Sequence, residues 1–176
     1  MTLWHDLRED VLANTGANSN RAVLKALFVS HGVQTIVRYR LSHVLLHHGA
    51  LGRLLSKWLW LRNIRRSACH ISPKAVIGPG LCLPHATGIV IGDGVAIGTR
   101  TTIYQHVTLG TSRRDGAPAY PRIGDGVQIY ANVVVFGAIV IGHRATLGAG
   151  LVVSRTVPDD TVCRNNAYAS VGMSHA

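Results

Sequence analysis

The strongest constraint on the fold is a six-residue repeat in the second half of the chain. An aliphatic residue opens each unit, Gly or Ala often follows it, and a small or β-branched residue usually stands four positions later. A period of six is not that of an amphipathic helix, whose apolar residues recur about every 3.6 positions. It is typical of a parallel β-helix, in which each unit is one short strand and a turn. The opening residues are Ile91, Ile97, Ile103, Leu109, Ile123, Ile129, Val135, Ile141, Leu147 and Val153.

Stacking of successive coils gives this repeat a physical reason. One coil cannot bury its apolar row alone, so each inward aliphatic residue must pack on its counterpart in the next coil. Val and Ile suit such half-buried strand positions. Gly or another small residue is expected at the corners, where the backbone is crowded or φ is positive. We therefore predict a mainly β protein, with a parallel β-helix over residues 69–160 and a C-terminal tail over residues 161–176.

Residues 1–68 have a different periodicity and are predicted to be helical. Apolar residues there recur at intervals of three and four, which is the spacing of one face of an α-helix. The expected helices run from residue 3 to residue 13, from residue 20 to Gly49 with a break at Gly32, and from residue 51 to residue 64. Because the ends of a stacked coil must be covered, this region is predicted to cap the β-helix and to pack against sister subunits.

The net charge of +10 is concentrated in this helical region, where ten Lys or Arg residues outnumber three acidic ones. No nucleic-acid-binding motif accompanies the charge, so we predict no nucleic-acid partner. Trp58 and Trp60 lie among the basic residues, and because Trp is enriched in subunit contacts this mixture favours packing against sister subunits. Weak contact with an anionic membrane surface is the alternative. The basic residues are Arg8, Arg21, Lys25, Arg38, Arg40, Arg53, Lys57, Arg62, Arg65 and Arg66.

The cysteines bear on the cellular compartment. Cys69, Cys82 and Cys163 form neither an obvious disulfide set nor a metal-binding spacing, and such usage is typical of a reducing compartment. The first twenty residues are polar and include acidic side chains, unlike a secretory signal. No uncharged apolar run reaches membrane-spanning length. We therefore predict a cytoplasmic protein, at most peripheral at the inner face of the membrane.

The six-residue repeat is interrupted twice. Two extra residues precede Ile91 within the segment 83–90, and residues 111–121 must form a loop between Leu109 and Ile123. Loops carried by a rigid scaffold commonly contain binding and catalytic residues. We therefore expect functional side chains at both interruptions.

The residues around these interruptions resemble a known family. Pro84-His85-Ala86-Thr87-Gly88 and Gln105-His106-Val107-Thr108-Leu109-Gly110 are similar to the core of the serine acetyltransferase family, and the similarity extends from about His70 to Pro158. The resemblance implies a left-handed parallel β-helix preceded by an N-terminal helical domain. Two segments, Asp6-Leu7-Arg8-Glu9-Asp10 and Tyr39-Arg40-Leu41-Ser42-His43, are more similar to a side branch, the short exopolysaccharide acetyltransferases of the colanic-acid type.

The resemblance implies acetyl-CoA as the acetyl donor and His85 as the general base. A hydroxyl is a poor nucleophile at neutral pH, and a neutral imidazole can accept its proton as the oxygen attacks the thioester carbonyl. In the family an aspartate orients this base, and His70 stands at that position here. A hydrogen bond from His70 would hold the His85 ring but would bring no negative charge to stabilise the imidazolium.

The departures from the family pattern bear on the acceptor. The family's acidic residue before the catalytic histidine is Pro84 here, and its Arg-His-Pro is Ala119-Tyr120-Pro121. Charges that would bind the carboxylate and amino group of serine are thereby lost. We therefore expect a sugar or polysaccharide-precursor hydroxyl as the acceptor, with Pro84, His106 and Tyr120 lining its site. Serine O-acetylation is the first alternative, and a non-catalytic scaffold or binding subunit is the second.

The family also implies where acetyl-CoA lies, in a groove between neighbouring subunits. The matching residues are Gly110, Thr111, Ala131 and Ala149, whose small size would let the pantetheine arm approach the main chain, with Arg113 and Arg114 near the phosphates. A shared groove implies a homotrimer or a dimer of trimers. No metal is expected, because His85, His106 and His143 lack close metal-ligand spacing.

Overall fold

The computed structural model describes residues 2–17, 19–112 and 118–165, in which four helices precede thirteen short strands. The helices are α1 (Leu3–Thr15), α2 (Asn20–Val29), α3 (His31–Leu45) and α4 (Gly49–Ser67). The strands are β1 (His70–Ile71), β2 (Val76–Ile77), β3 (Val90–Ile91), β4 (Ala96–Ile97), β5 (Thr102–Ile103), β6 (Thr108–Gly110), β7 (Arg122–Ile123), β8 (Gln128–Ile129), β9 (Val134–Phe136), β10 (Val140–Ile141), β11 (Thr146–Leu147), β12 (Val152–Val153) and β13 (Val162–Cys163).

The strands form three parallel sheets that are visited in turn. Sheet I is β1-β3-β6-β9-β12, sheet II is β2-β4-β7-β10, and sheet III is β5-β8-β11-β13. The chain passes from sheet I to II to III and back to I, so the backbone winds as a triangular coil with three corners. Where a named strand is missing from this order, after β2 and after β12, the isolated bridges of Cys82 with Thr102 and of Val157 with Ile141 take its place. This is a left-handed parallel β-helix, and it confirms the predicted fold class.

The core explains the six-residue repeat. Most strands have two residues. The first faces outward, and the second, which is the opening aliphatic residue of the repeat, faces inward. The residue four positions later is also buried, as Val95, Val127 and Ala145 illustrate. Two inward positions in every six therefore fill the coil. Of the ten opening residues, all but the partly buried Val153 are fully buried.

The corner conformations differ from the sequence-based expectation. A residue with positive φ closes each turn between sheets III and I, and the series is Gly88, His106, Asn132 and Gly150. Only half of these positions are Gly. Asn tolerates the left-handed region because its short polar side chain bonds locally. The His106 and Asn132 N–H groups also donate to the coil before them, at 3.0 Å to the Thr87 carbonyl and 3.1 Å to the Gln105 carbonyl.

The coil register locates both interruptions. His70 pairs with Val90, twenty residues on, whereas Val90 pairs with Thr108, only eighteen residues on. The two extra residues therefore belong to the first turn between sheets III and I, which carries His85. Thr108 pairs with Val134, twenty-six residues on, so eight extra residues leave the coil between sheets I and II.

The first coil has no coil before it, and side chains of α1 satisfy its exposed backbone groups. The Asp10 carboxylate accepts hydrogen bonds from the Gly80 and Leu81 N–H groups, each at 2.9 Å. The Asn14 amide accepts from the Leu83 N–H at 3.0 Å and donates to the Leu81 carbonyl at 2.8 Å. These two side chains thus replace the missing strand, as buried backbone polar groups require.

Helix α3 completes this cap. Arg40 donates two hydrogen bonds to the buried Asp10 carboxylate, at 2.9 and 3.1 Å, and another to the Gly78 carbonyl at 2.6 Å. The Tyr39 hydroxyl donates to the Ala75 carbonyl at 2.8 Å. The helical region is therefore joined to the coil by hydrogen bonds as well as by apolar contact.

Several helix boundaries differ from prediction. Helix α1 runs two residues beyond its predicted end, to Thr15, and Gly16 caps it with φ of 69°. The break between α2 and α3 lies at Ser30, whose hydroxyl accepts from the Val33 N–H, and not at Gly32, which packs against the Leu83 carbonyl. Gly49 begins α4 and does not end the preceding helix.

At the other end of the coil, strand β13 lies within the segment predicted to be a tail. Over the described ranges, no helix has the length and apolarity needed to cross a bilayer.

Candidate active site at one corner of the coil

The corner between sheets III and I collects polar and aromatic side chains from successive coils. The first coil contributes His85, and later coils add residues at equivalent positions of the repeat. All of them belong to the turns that connect sheet III to sheet I, so they follow one edge of the β-helix. They are His85, Tyr104, Gln105, His106, Tyr130, Ala131, Asn132 and Ala149.

Three rings lie in series along this edge. The His85 and Tyr104 rings have centroids 6.2 Å apart with planes tilted by 52°, and Tyr104 stacks on Tyr130 at 5.0 Å and 7°. Sequence analysis missed both tyrosines. The signal was present, because each directly follows the inward aliphatic residue of its strand, Ile103 or Ile129, and equivalent repeat positions stack.

The His85 side chain is exposed, and among the described residues no protein atom bonds to its ring nitrogens. Its carbonyl accepts from the Thr87 N–H at 2.8 Å, which fixes the turn locally. The Tyr104 ring contacts it on one side. The imidazole therefore lies exposed at the corner, and both ring nitrogens lack a hydrogen bond within the described structure.

His106 lies directly over Gly88. A Cβ placed on Gly88, which has φ of 63°, would stand 2.2 Å from the His106 Cδ2 atom. The His106 Nδ1 atom is 3.3 Å from the Asn132 Oδ1 atom. The last residue of the His-Ala-Thr-Gly motif is thus Gly for two reasons, the left-handed φ and the imidazole above it.

His70 lies elsewhere on the first coil. It faces outward from sheet I in register with Val90, and its ring meets the Trp60 ring edge-on at 6.5 Å. Across the described part of the chain, no hydrogen bond joins His70 to His85. The predicted orienting role of His70 has no geometric counterpart in one subunit.

The predicted acceptor residues fall at two corners. Pro84 is exposed beside His85. Tyr120 instead packs on the turn between sheets I and II, where a Cβ on Gly92 or Gly94 would lie 2.7 or 2.3 Å from its ring.

The predicted cofactor residues are divided in the same way. Ala131 and Ala149 lie on the His85 edge, and the Gly150 N–H donates to the Ala131 carbonyl at 2.9 Å. Gly110 ends β6, and Thr111 follows it on the way to the other corner. Arg113 and Arg114 lie outside the described residues.

Gln105 is a further residue that sequence analysis missed. It occupies the repeat position of Ala131 in the preceding coil, because the Asn132 N–H donates to the Gln105 carbonyl and the Gly150 N–H to that of Ala131. Its Oε1 atom is buried and has no hydrogen-bond partner in the described structure. A buried acceptor without a donor is uncommon in folded proteins.

A second cleft, away from His85, lies between α4 and the first coil. Arg53, Lys57, Trp60, Lys74 and Asp93 line it. Hydrogen bonds from Lys74 and Ser72 lower the pKa of the Asp93 carboxyl. No group of three or more His, Cys, Asp or Glu side chains suited to a metal ion occurs in the described ranges.

No protein-family model matches the chain. It is similar to the serine acetyltransferase of Mycobacterium tuberculosis, with 39% identity over 139 residues, which are 79% of this chain and 60% of that protein. The chain thus spans about three fifths of that relative.

Solved structures agree with this similarity. Soybean serine acetyltransferase complexed with serine matches with a TM-score of 0.79 and 35% identity, over 92% of this chain and 68% of that one. A serine acetyltransferase in complex with CoA matches with a TM-score of 0.78 and 29% identity, over 91% and 66% of the two chains. Sequence and fold agree over most of the chain, which therefore belongs to the serine acetyltransferase family.

Proposed function

We propose that this protein is an acetyl-CoA-dependent O-acetyltransferase that acetylates the hydroxyl of serine. The observation that supports this most is the exposed His85 imidazole, which has no hydrogen bond to the described residues and stands on the edge that carries the other polar and aromatic side chains of the site. The relatives support both substrates, since one solved relative is complexed with serine, the proposed acceptor, and another with CoA, which is part of the proposed donor. Serine was the alternative acceptor in the sequence analysis, and the family relationship favours it over a sugar.

The proposed reaction uses His85 as the general base. Its imidazole accepts the proton of the acceptor hydroxyl while the oxygen forms a bond to the thioester carbonyl carbon of acetyl-CoA. The carbon–sulfur bond then breaks, and the departing thiolate takes up the proton from the imidazolium. CoA and the O-acetyl ester leave, and His85 returns to its neutral form. His106 and Gln105 are proposed to line the acceptor and donor sites beside it.

A sugar hydroxyl is the second candidate acceptor. It is favoured by Pro84, Ala119 and Tyr120, which stand where the family pattern has charged or imidazole side chains. A zwitterionic acceptor needs fixed charges of both signs, whereas a sugar needs neutral hydrogen bonds and an aromatic surface. Membership of the exopolysaccharide branch would follow from this acceptor.

The assembly is proposed to be a homotrimer. His85 and Tyr120 stand at different corners of one coil, so a site that contains both needs one corner from each of two neighbouring chains. Three chains around a common axis would form three such sites. Gly110 and Thr111 would then face Ala131 and Ala149 of a neighbour across the acetyl-CoA groove. His70, Pro84, Arg113 and Arg114 keep their predicted roles as proposals within this site. A dimer of trimers is the larger form.

The domain division and the location are also proposals. Residues 1–68 are proposed as the capping region and residues 69–160 as the catalytic coil, with β13 extending the coil into the segment 161–176. A cytoplasmic location is supported by the three cysteines, all of which are free thiols.

Release of CoA thiol tests the reaction and its acceptor together. Purified full-length protein is incubated with acetyl-CoA and, in separate reactions, with L-serine, D-serine or a panel of free and nucleotide-linked sugars. We expect thiol release that depends on L-serine. Thiol release with a sugar and not with L-serine would contradict serine as the acceptor and favour the second candidate. Failure of every acceptor, together with no binding of acetyl-CoA by calorimetry, would contradict an acetyltransferase.

Sedimentation equilibrium tests the assembly. A mass of three chains, or of six, is expected because the proposed groove needs two walls. A monomer at the concentration of the activity assay would contradict the shared site.

A further inference from the structure

Helix α4 has its apolar and polar sides reversed relative to an ordinary surface helix. Its buried residues are small or polar, namely Gly52, Ser56, Asn63 and Ser67. Its large apolar residues are exposed instead, and they are Leu51, Leu54, Leu55, Trp58 and Leu61. A surface helix normally turns its apolar stripe toward the protein core. Here the protein interior accounts for the polar side, and the apolar side has no partner in the described chain.

The contacts of the buried side show that this orientation is fixed. The Ser42 and Ser56 hydroxyls donate to each other's backbone carbonyls, at 3.1 and 2.7 Å, and the Asn63 amide donates to the Thr35 carbonyl at 3.1 Å. Gly52 packs so closely on α3 that a Cβ there would lie 2.5 Å from the Leu45 carbonyl oxygen. Rotation of α4 to bury its leucines would break these contacts.

The exposed apolar residues form one stripe. They stand at intervals of three and four between residues 51 and 61, which places them on one side of an α-helix. We name Leu51, Leu54, Leu55, Trp58 and Leu61 the α4 stripe. Leu54 is 65% exposed and Trp58 is 55% exposed.

Basic side chains surround the α4 stripe. Arg53 and Lys57 flank it on one side, and the turns beyond Leu61 carry Arg62, Arg65 and Arg66. The Arg62 guanidinium lies 5.4 Å from the centroid of the Trp58 ring. An apolar strip bordered by Lys and Arg is the pattern of helices that lie at a bilayer interface.

The surrounding charge selects the class of partner. No Asp or Glu occurs from residue 11 to residue 92, so all of α2, α3 and α4 is free of acidic side chains. A second copy of the chain would bring like charges together at this surface. Three of its eight acidic side chains already pair with cations of the same chain, Asp10 with Arg40, Asp93 with Lys74 and Asp160 with Arg144.

From these observations we infer that the α4 stripe docks on an anionic lipid bilayer surface, with the leucines and Trp58 at the acyl boundary and the flanking cations among acidic headgroups. Each basic residue near such a surface adds to binding, and salt weakens that part. A homotrimer would present three stripes and bind more tightly than one chain. The inference does not depend on the proposed acetyl transfer, because vesicle binding needs no reaction.

Vesicle flotation tests this inference. The full-length protein is mixed with vesicles of phosphatidylglycerol and phosphatidylcholine, or of phosphatidylcholine alone, at low and high salt. We expect flotation with the anionic vesicles at low salt and about a tenfold weaker partition at high salt. Absence of binding to anionic vesicles at low salt would overturn the inference.

Two matched tryptophan variants make the test specific. Trp58→Ser removes the largest side chain of the α4 stripe, whereas Trp4→Ser removes a tryptophan of α1 with the same 55% exposure. We expect Trp58→Ser to weaken partition about tenfold and Trp4→Ser to leave it unchanged. Equal effects of the two variants would contradict docking through α4. A sedimentation mass that falls in Trp58→Ser, without vesicle binding by the wild type, would assign the stripe to a second copy and overturn the inference.

Circular dichroism and thiol release on the same variants separate folding and activity from docking. Both tryptophan side chains are more than half exposed, so we expect unchanged spectra and unchanged turnover. Loss of vesicle binding by Trp58→Ser with normal turnover would support docking through the α4 stripe. If the wild type bound vesicles but showed no turnover, the proposed function would fail and the docking inference would stand.

Discussion

At the scale of single residues, Gly88 has the most direct effect on the candidate site. It has a left-handed φ and lies under the His106 ring, and it is three residues from His85. A larger side chain there must either strain the backbone or displace the imidazole. The corner series provides a matched position, because Gly150 has φ of 73° and nothing within 4 Å of a Cβ placed on it.

We expect Gly150→Ala to lower the free energy of unfolding by about 1–2 kcal/mol, which is the cost of a left-handed non-glycine residue. Gly88→Ala should cost more, because the His106 ring must also move. Denaturant unfolding of both variants at one protein concentration measures the difference. Equal losses would show that His106 does not constrain Gly88.

The residue scale is also where sequence reasoning was least complete. The motif around His85 was sufficient to identify that residue as the candidate base. Tyr104 and Tyr130 were missed because their importance arises from stacking between coils, which a single repeat unit does not reveal. The separation of His85 from Tyr120 was likewise not visible, since it depends on which corner each interruption occupies.

At the scale of elements, the contact between α1, α3 and the first coil holds the two parts of the chain together. Asp10 is the centre of this contact, because it accepts from Arg40 and from two backbone N–H groups. Burial raises the pKa of the Asp10 carboxyl, and the hydrogen bonds and charge of Arg40 act against that rise. Removal of the carboxylate would leave a buried guanidinium without its counter-ion.

Asp10→Ala should therefore destabilise the protein by about 3–5 kcal/mol, as expected when one partner of a buried ion pair is removed. Asp6→Ala on the same helix is the control. That carboxylate lies near the surface beside His5, so its removal should cost less than about 1 kcal/mol. Comparable losses in denaturant unfolding would mean that Asp10 does not link the cap to the coil.

The cap could be predicted as an element but not in its contacts. Solenoid ends need covering, and the three- and four-residue periodicity correctly identified helices before residue 68. The bonds from Asp10 to Gly80 and Leu81 join residues seventy and seventy-one positions apart, so no local pattern indicates them. The orientation of α4 was also hidden, because the three- and four-residue spacing of its leucines does not show whether that face meets the same chain, and the structure exposes it.

At the scale of the whole molecule, the turns of the coil carry carboxylates that respond to acid. The N–H and hydroxyl of Thr99 lower the pKa of the Asp125 carboxyl. A hydrogen bond from Arg144 lowers that of Asp160. A carboxyl with a lowered folded-state pKa stabilises the protein above its unfolded-state pKa of about 4 and loses that contribution as the pH falls below it.

We therefore expect the melting temperature to fall as the pH is lowered from 5 toward about 3, while the already positive chain gains further charge. Asp125→Asn keeps an acceptor for Thr99 but cannot be protonated, so its melting temperature should fall less over that interval. Thermal melts of the two proteins at matched pH provide the comparison. Parallel declines would exclude Asp125 from the acid response.

The whole fold was the most predictable level. Ten aliphatic openings, six residues apart within each of two blocks, indicated a stacked coil, and the structure buries nearly all of them. The oligomeric state is harder to predict from the sequence. The sheets expose several outward valines, and the repeat pattern is the same whether another chain or solvent covers them. The proposed trimer therefore depends on the two-corner geometry and not on the repeat.

Turnover of His85→Ala beside the wild type is the most direct test of the account. With acetyl-CoA and L-serine, we expect the variant to release CoA thiol about 10²–10⁴-fold more slowly, because the base that accepts the hydroxyl proton is gone. Its melting temperature and its affinity for acetyl-CoA should stay close to those of the wild type, since the side chain is exposed and makes no hydrogen bond in the described structure. An unchanged rate would contradict the assignment of His85 as the base, and with it the proposed active site.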